Sequence, residues 1–382
     1  MKRILSLYIV REIAALFVLG LVVFTLVLLM GRMIKLTDMV ITHGVPLLDV
    51  GWMIIYLMPS FLVYTVPMAF LLAVLLSFGR LSADNEFTVM KACGISLVQI
   101  MPPVLLCGFV ACAMGLFAGV VGVPWGNQSF SSKSFAVLRQ NISATIREKV
   151  FWDDIPGVVL YTEHYDEERH TLSGVIIYDG RDSTRPLTIF AKNGVVGGGA
   201  NEREIQLVLR NGSIHAKGKE QEYRLINFGE YSMTISAPGS ANSSNRSPLD
   251  MDNAELRRLI DNPATPRQVG LKMAKELHSR YALPFASIVF AILAVPLGLQ
   301  NRRSAKSSGF AISIGVLLLY YILFSLMGTL AEKGTFSMAL ALWLPNAIFF
   351  VLGWLLLRMV SLERTIPVPS PELLLRLFRK VP

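Results

Sequence analysis

The stretch "GRLSADNEFTVMKACGISLVQI", residues 79–100, is a short charged segment between two long apolar runs. It carries Arg80, Asp84, Glu86 and Lys91, whereas residues 50–79 and 92–132 contain no charged residue. Charged side chains are costly inside a bilayer, so this segment cannot itself cross one. The pattern predicts a polar connection between two membrane-spanning helices.

Six windows of the sequence lack Asp, Glu, Lys and Arg and consist mostly of aliphatic residues, Phe and Met. They are residues 13–31, 50–79, 92–132, 281–301, 307–331 and 334–357. A helix needs about 20 apolar residues to cross the hydrocarbon layer, and each window reaches or nearly reaches that length. The sequence therefore predicts a membrane α-helical protein with six transmembrane helices.

Basic residues cluster at one set of window ends, which predicts the orientation of the chain. The flanking basic residues are Lys2, Arg3, Arg11, Arg80, Lys91, Arg302, Arg303, Lys306, Arg358, Arg364, Arg376, Arg379 and Lys380. With six crossings all of them fall on one side, which the positive-inside rule makes cytoplasmic. Residues 32–49, roughly 133–280 and the turn at 332–333 then lie outside. The net charge of +9 is mostly a topology signal, and nucleic acid need not be invoked.

The outside segment changes from apolar runs to short strand-like stretches between about 151 and 235. Stretches such as "GVVLYTEHY", "LSGVIIYDG", "EIQLVLRNG" and "SIHAKG" are separated by Gly and Asn-Gly breakers, which favours an all-β sandwich or jelly roll. Alternation nominates Val208 and Ile214 as inward-facing. The predicted parts are 1–132 with a charged helix at about 80–96, an outside all-β domain at 133–270, helices at 271–360, and a cytoplasmic tail at 361–382.

Motifs for nucleotide binding or catalysis are absent from the sequence, which contains no G-x-x-x-x-G-K-[ST], H-E-x-x-H, G-x-S-x-G or C-x-x-C. "EHYDEERH" groups Glu163, His164, Asp166 and His170, but a polar loop between strands is favoured over a metal site. The spans hold no Asp, Glu, Lys or Arg at mid-depth, which disfavours an ion-coupled carrier and suits a lipidic substrate. We expect no catalytic residue, metal or cofactor in this chain.

The segment at about 80–96 poses a question that periodicity leaves open. At 100° per residue, Glu86, Met90, Cys93 and Leu97 share one stripe. A carboxylate in an apolar stripe is costly unless a cation or donor meets it. That partner is either an arginine of another chain or a basic residue of this chain, with the helix lying on the membrane surface.

The stretch "LSADNEFTVMKACGIS" resembles the cytoplasmic coupling-helix signature of the LptF/LptG family of lipopolysaccharide-export permeases, and "KACGIS" is closer to LptF. The resemblance continues in "MKRILSLYIVREI", in "VPWGNQ" and in "ELHSRYALPFASIVFAILAVPLGLQNRRSAKSSGF". The loop at 301–306 keeps the positive charge of the family pattern N-P-R-x-G-R but lacks its proline and glycine.

The resemblance implies a permease subunit in the inner membrane of a Gram-negative bacterium, with residues of about 80–96 as its coupling helix and 133–270 as a periplasmic β-jelly-roll domain. Its partners would be a sister permease (LptG-like), an ATPase dimer (LptB-like), a single-span bridge protein (LptC-like) and a periplasmic bridge protein (LptA-like). ATP and Mg would be bound by the ATPase, which Glu86 and Asp84 would contact. The alternatives are a permease for another lipid or lipoprotein, and a membrane-anchored periplasmic sensor or scaffold.

Two cations just beyond the first apolar run form a second candidate site. Arg32 and Lys35 are three residues apart and share a face if the helix continues. Cations at an outer membrane face can snorkel to lipid headgroups or pair with Asp38. The family resemblance implies instead that they bind the phosphates of lipid A.

Overall fold

The computed structural model describes residues 2–43, 46–140, 148–155, 157–166, 171–180, 186–198, 204–217, 223–236, 247–299 and 305–362. Its contacts divide the chain into two units. The first unit comprises Met1–Leu29, Ser60–Val121 and Asn253–Pro382, and the second comprises Met30–Pro59 and Gly122–Asp252. The predicted loop at 301–304 and most of the predicted tail lie outside the described residues.

Helical elements form most of the described chain. They are α1 (Lys2–His43), α2 (Leu47–Ala83), α3 (Glu86–Ala92), α4 (Leu97–Phe117), a π-helical turn (Ala118–Gly122), α5 (Val123–Gln140), a 3₁₀ turn (Pro248–Asp250), α6 (Asn253–Asp261), α7 (Arg267–Leu299), α8 (Ala305–Glu332) and α9 (Met338–Ser361). Within the described residues, six stretches are long and apolar enough to span a membrane: Arg3–Ile34, Leu47–Ala83, Leu97–Ala136, Arg267–Leu299, Phe310–Glu332 and Met338–Ser361. The prediction of six membrane helices is confirmed.

The first unit is a helical bundle with α7 in its core. Small residues let its neighbours approach closely, since a Cβ at Gly115 of α4 would lie 3.0 Å from the Pro284 ring of α7. A Cβ at Gly353 of α9 would likewise lie 3.0 Å from the backbone nitrogen of Leu293. These close contacts place α7 in the interior of the bundle, where most of its residues are buried.

Several polar groups inside this bundle are hydrogen-bonded to one another, which compensates for the absence of water in a bilayer. The hydroxyl of Tyr320 in α8 donates to Asn346 Oδ1 at 3.0 Å. The Asn346 amide in turn donates to the carbonyl oxygen of Ala282 at 2.8 Å. This chain of bonds joins α8, α9 and α7.

A buried arginine joins α6 to α7. The Arg280 side chain is only 2% exposed, and its Nε donates to Glu276 Oε1 at 2.9 Å. A second guanidinium nitrogen donates to Asn253 Oδ1 at 2.8 Å, and the Asn253 amide donates to the hydroxyl of Tyr281 at 2.9 Å. The charge is therefore both paired and hydrogen-bonded, which is the condition for burying it.

The second unit contains a six-stranded antiparallel sheet in the order β1-β2-β3-β4-β5-β6. Its strands are β1 (Trp152–Ile155), β2 (Val158–Asp166), β3 (Thr171–Asp179), β4 (Leu187–Gly198), β5 (Glu204–Lys217) and β6 (Tyr223–Ser236). Phe135 of α5 is buried in the core of this sheet with Leu160, Ile177 and Leu209. The prediction of helices with an inserted β domain is confirmed.

Strands β2 to β6 each contain one residue that has no paired residue in a neighbouring strand. These five positions line up in a row across the sheet. The row consists of Glu163, Gly174, Lys192, Asn211 and Gly229. Gly174 and Asn211 have φ of 62° and 55°, in the left-handed region. The strands pair in the same register on both sides of the row. The side-chain alternation shifts by one residue at the row, however, so that within each strand odd-numbered residues face the core on one side of it and even-numbered residues on the other. We call this row the crease.

The crease corrects two expectations from the sequence. Leu207 and Leu209 are buried before it and Ile214 after it, so Val208 points away from the core while Ile214 points inward. The sequence predicts that the Asn-Gly pair at residues 211–212 separates two strands. It lies instead inside the continuous 14-residue strand β5, where the left-handed Asn211 changes the phase of the strand without ending it.

The stretch "VPWGNQ" fixes the start of α5 within the second unit. A Cβ at Gly126 would collide with the carbonyl oxygen of Tyr56, so only glycine allows this approach of α5 to α2. The ring of Trp125 packs edge-on against Tyr56, with centroids 5.5 Å apart. Gln128 Nε2 donates to the carbonyl of Asp250 at 2.6 Å. Trp and Tyr together are typical of a membrane–water interface.

Candidate functional site

The coupling segment, which we define as residues 80–96, is two elements rather than the single helix that the sequence predicts. α2 continues to Ala83, and the chain turns at Asn85, whose φ is 58°. α3 then covers only Glu86–Ala92, and Gly94 with φ of 82° separates it from α4. The predicted stripe therefore does not continue past Met90 as one helix face.

Glu86 is the first residue of α3, and its side chain is half-buried. The hydroxyl of Tyr8, near the start of α1, donates to Glu86 Oε2 at 2.9 Å. Among the described residues the partner of Glu86 is thus a neutral donor of this chain and not a basic residue. A carboxylate can accept about four hydrogen bonds, so Glu86 has acceptor capacity left for further donors.

Asp84 belongs to an exposed charge cluster that also includes Arg80 and Glu12. The Arg80 guanidinium lies 2.8 Å from Glu12 Oε1 and 3.6 Å from Asp84 Oδ2. The Arg80 and Asp84 side chains are 59% and 55% exposed, so water weakens their attraction. Beside them, the buried hydroxyl of Ser82 donates to the carbonyl of Leu299 at 2.8 Å and ties the end of α2 to the end of α7.

The outward surface of α3 is partly apolar. Val89 is 60% exposed, and Thr88, Ala92 and Cys93 beside it are exposed too. Sequence reasoning did not select Val89, although an apolar residue inside the one charged segment could have identified it. Tyr8 and Glu12 were also missed, and no local pattern relates them to residues about 70 positions away.

Arg32 and Lys35 both lie in α1, and Arg32 is exposed. The side chains of Lys35 and Asp38 lie outside the described part of the structure. The alternative that the cations pair with Asp38 therefore stays a prediction. Both positions belong to the second unit, whereas the coupling segment belongs to the first.

The "EHYDEERH" stretch covers the end of β2. His164 Nδ1 lies 2.5 Å from Glu148 Oε1, and the same oxygen accepts the backbone N–H of Tyr165 at 3.0 Å. His170 lies outside the described residues. No three His, Cys, Asp or Glu side chains come together to hold a metal in the part of the chain that the structure describes.

Comparison with known proteins gives matches over nearly the whole chain. The model of the family described as "Lipopolysaccharide export system permease LptF/LptG" matches residues 7–359. The lipopolysaccharide export system permease protein LptF of Escherichia coli strain K12 is 24% identical over 374 residues, covering 94% of this chain and 95% of that protein. An uncharacterized protein of Rickettsia prowazekii, RP871, is 21% identical over 289 residues, covering 73% and 77%.

Proposed function

Because the chain belongs to the LptF/LptG family of lipopolysaccharide export permeases, we propose that it is the LptF-like half of an ATP-driven exporter. It is a multi-pass inner-membrane permease subunit with an inserted β domain. In the proposed cycle a separate ATPase drives the extraction of lipopolysaccharide, which the β domain passes to a periplasmic bridge. The observation that carries this proposal is the coupling segment, an acidic and partly apolar surface between two membrane spans.

The ATPase dimer (LptB-like) would dock on α3 and bind ATP and Mg itself. Glu86, with Asp84 beside it, would accept hydrogen bonds from a cationic side chain of the ATPase. Val89 would add apolar contact area next to that charge. Removing one partner of a buried interfacial charge pair costs about 2–5 kcal/mol, so Glu86 should dominate the docking energy.

The sister permease (LptG-like) would face the helix surfaces that this chain leaves uncovered. α1 exposes Val18, Leu19 and Val22, and α8 exposes Leu318 and Ile322. In a membrane such surfaces contact lipid or another helix. A cavity between two permeases lined this way would accept acyl chains, and the headgroup phosphates of lipid A would bind Arg32 and Lys35 by charge-assisted hydrogen bonds.

The β domain would be periplasmic and would transfer lipid without chemistry. Strand β6 is an edge of the sheet, and its residues Tyr223, Leu225 and Ile226 are exposed. An open edge of 14 residues can pair with a strand of another β domain. The single-span bridge protein (LptC-like) and the periplasmic bridge protein (LptA-like) would continue the sheet from this edge.

Purification and reconstitution test the whole proposal. The tagged chain, expressed with its genomic neighbours, is purified in mild detergent, and bound chains and lipids are identified by mass spectrometry. The complex is then placed in proteoliposomes, and ATP-dependent transfer of lipopolysaccharide to a soluble bridge protein is measured. We expect an ATPase, a second permease and lipopolysaccharide. A different bound lipid would favour another exporter, and recovery of neither ATPase nor lipid would favour a sensor or scaffold.

A further inference from the structure

The first turns of α1 contact the coupling segment on both sides of the turn between α2 and α3. Tyr8 and Glu12 are four residues apart in α1, so they share one helix face. Tyr8 donates to Glu86 in α3, and Glu12 accepts from Arg80 in the last turn of α2. The left-handed residue Asn85 lies between the two contacts. One face of α1 therefore contacts both helices that meet at this turn.

The chemistry of the Tyr8 contact differs from that of an ion pair. A lysine or arginine at this position would neutralise Glu86, whereas a phenol hydroxyl orients the carboxylate and leaves its negative charge in place. Tyr8 donates to Oε2 alone. Fixing a side chain before it binds lowers the entropic cost of binding, which is on the order of 0.5–1.5 kcal/mol for a flexible side chain.

We propose that Tyr8 is a positioning residue that presents the Glu86 carboxylate to a cationic side chain of the docked ATPase. The Glu12–Arg80 pair holds α1 against the same turn, so the first turns of α1 belong to the coupling apparatus together with α3. This inference rests on the proposed docking of an ATPase at the coupling segment and names a residue outside that segment on which the docking depends.

A double-mutant cycle tests the inference in the reconstituted permease pair. Affinity for the ATPase subunit is measured for the wild type, Tyr8→Phe, Glu86→Gln and the double variant. We expect Tyr8→Phe to weaken binding about three- to tenfold, the range for losing one partly exposed hydrogen bond to a charged group. Because Tyr8 acts through Glu86, Tyr8→Phe should cause no further loss in the Glu86→Gln background.

Two further measurements separate positioning from a general effect on the fold. Tyr178→Phe makes the same chemical change at an exposed position of β3 and should leave ATPase affinity unchanged. Cys93 is exposed at the end of α3, whereas Cys107 and Cys112 lie within α4, so Cys93 can carry a selective spin label. Tyr8→Phe should make this label more mobile while the midpoint of thermal unfolding stays the same.

The outcomes distinguish the inference from the function on which it rests. Unchanged or tighter ATPase binding by Tyr8→Phe would overturn the positioning role. The role would also be overturned if Tyr8→Phe lowered the affinity equally in the wild-type and Glu86→Gln backgrounds. Those results leave the docking function intact if Glu86→Gln itself binds weakly. If the wild type does not bind an ATPase, or Glu86→Gln binds as well as the wild type, docking at Glu86 fails and the inference fails with it.

Discussion

Arg280 and Arg80 make similar sets of contacts in opposite surroundings. Each arginine forms an ion pair with a carboxylate four residues away along the chain and reaches a second helix, Arg280 through Asn253 and Arg80 through Glu12. The Arg280 side chain is 2% exposed, however, and that of Arg80 is 59% exposed. Burial therefore decides how much each network contributes to stability.

This difference in burial divides the polar contacts into two kinds: the buried contacts of Arg280 hold the fold together, and the exposed contacts of Arg80 can exchange partners. A buried charge that loses its partners has no water to replace them, so the Arg280 network holds α6 on α7 permanently. The exposed contacts around Arg80 and Glu86 can exchange partners at little cost, because water competes for each group. A surface on which an ATPase docks and moves needs such exposed contacts, whose partners can be exchanged.

The largest expected effect is the loss of stability on removing the buried arginine. Arg280→Ala leaves the half-buried Glu276 without its cation and should lower the free energy of unfolding by about 3–5 kcal/mol. Arg80→Ala, the matched exposed variant, should cost no more than about 1 kcal/mol. Thermal unfolding in the same detergent compares them. Equal losses would break the distinction between the two networks.

Removing only the α6 partner should give a smaller loss. Asn253→Ala takes one acceptor from Arg280 and the donor from Tyr281, which should cost about 1–3 kcal/mol. The effect should be local, since the Glu276 pair remains. Limited proteolysis is expected to cut near α6 first. Asn262→Ala, which removes a turn contact just beyond α6, is the control and should not change the cleavage rate.

Salt should distinguish the exposed cluster from the buried one. Ions screen exposed charges within about 10 Å at 0.1 M ionic strength but screen buried pairs much less. Raising the salt concentration should therefore weaken ATPase binding to the wild type while leaving the unfolding midpoint nearly constant. Glu12→Gln should reduce the salt dependence of binding. A midpoint that falls together with binding would mean that the exposed cluster is structural after all.

The smallest stability effect is expected at Arg32 and Lys35. Reversing both charges should leave assembly and unfolding unchanged, since Arg32 is exposed. Lipopolysaccharide stimulation of the ATPase should fall only partly, because in the proposed exporter the acyl chains would still bind the apolar cavity and the sister permease would supply cations of its own. Arg358→Glu, at the far end of α9, is the matched control. A double Glu variant that exports normally would remove this site from the mechanism.

The membrane helices could be predicted from sequence because one physical constraint acts on every residue in them. A charge anywhere in a span is costly, so charge-free windows mark the spans directly. The β domain was predictable in type for a similar reason, since strand-like stretches between turn residues are local signals. Both predictions depend only on residues that are neighbours in the sequence.

The details that sequence reasoning missed depend on residues far apart in the chain. Asn211 and Gly174 form part of the crease only because five strands change phase at aligned positions, which alternation along a single strand cannot show. Val208 was misplaced for this reason. The contact between Tyr8 and Glu86 joins positions 78 residues apart, and only the packing of α1 brings them together.

Charge reversal at Glu86 tests the central claim most directly, namely that the coupling segment passes the work of an ATPase to lipid movement. ATPase binding and ATP-driven lipopolysaccharide transfer are measured in proteoliposomes for the wild type, Glu86→Lys and, as a control for charge, Asp261→Lys at the exposed end of α6. Glu86→Lys should lose at least about 2 kcal/mol of binding, a roughly thirtyfold weaker affinity, and with it lipid transfer, while its membrane level stays normal. The control should behave as the wild type. A Glu86→Lys permease that keeps its ATPase and transfers lipid at the full rate would contradict the account.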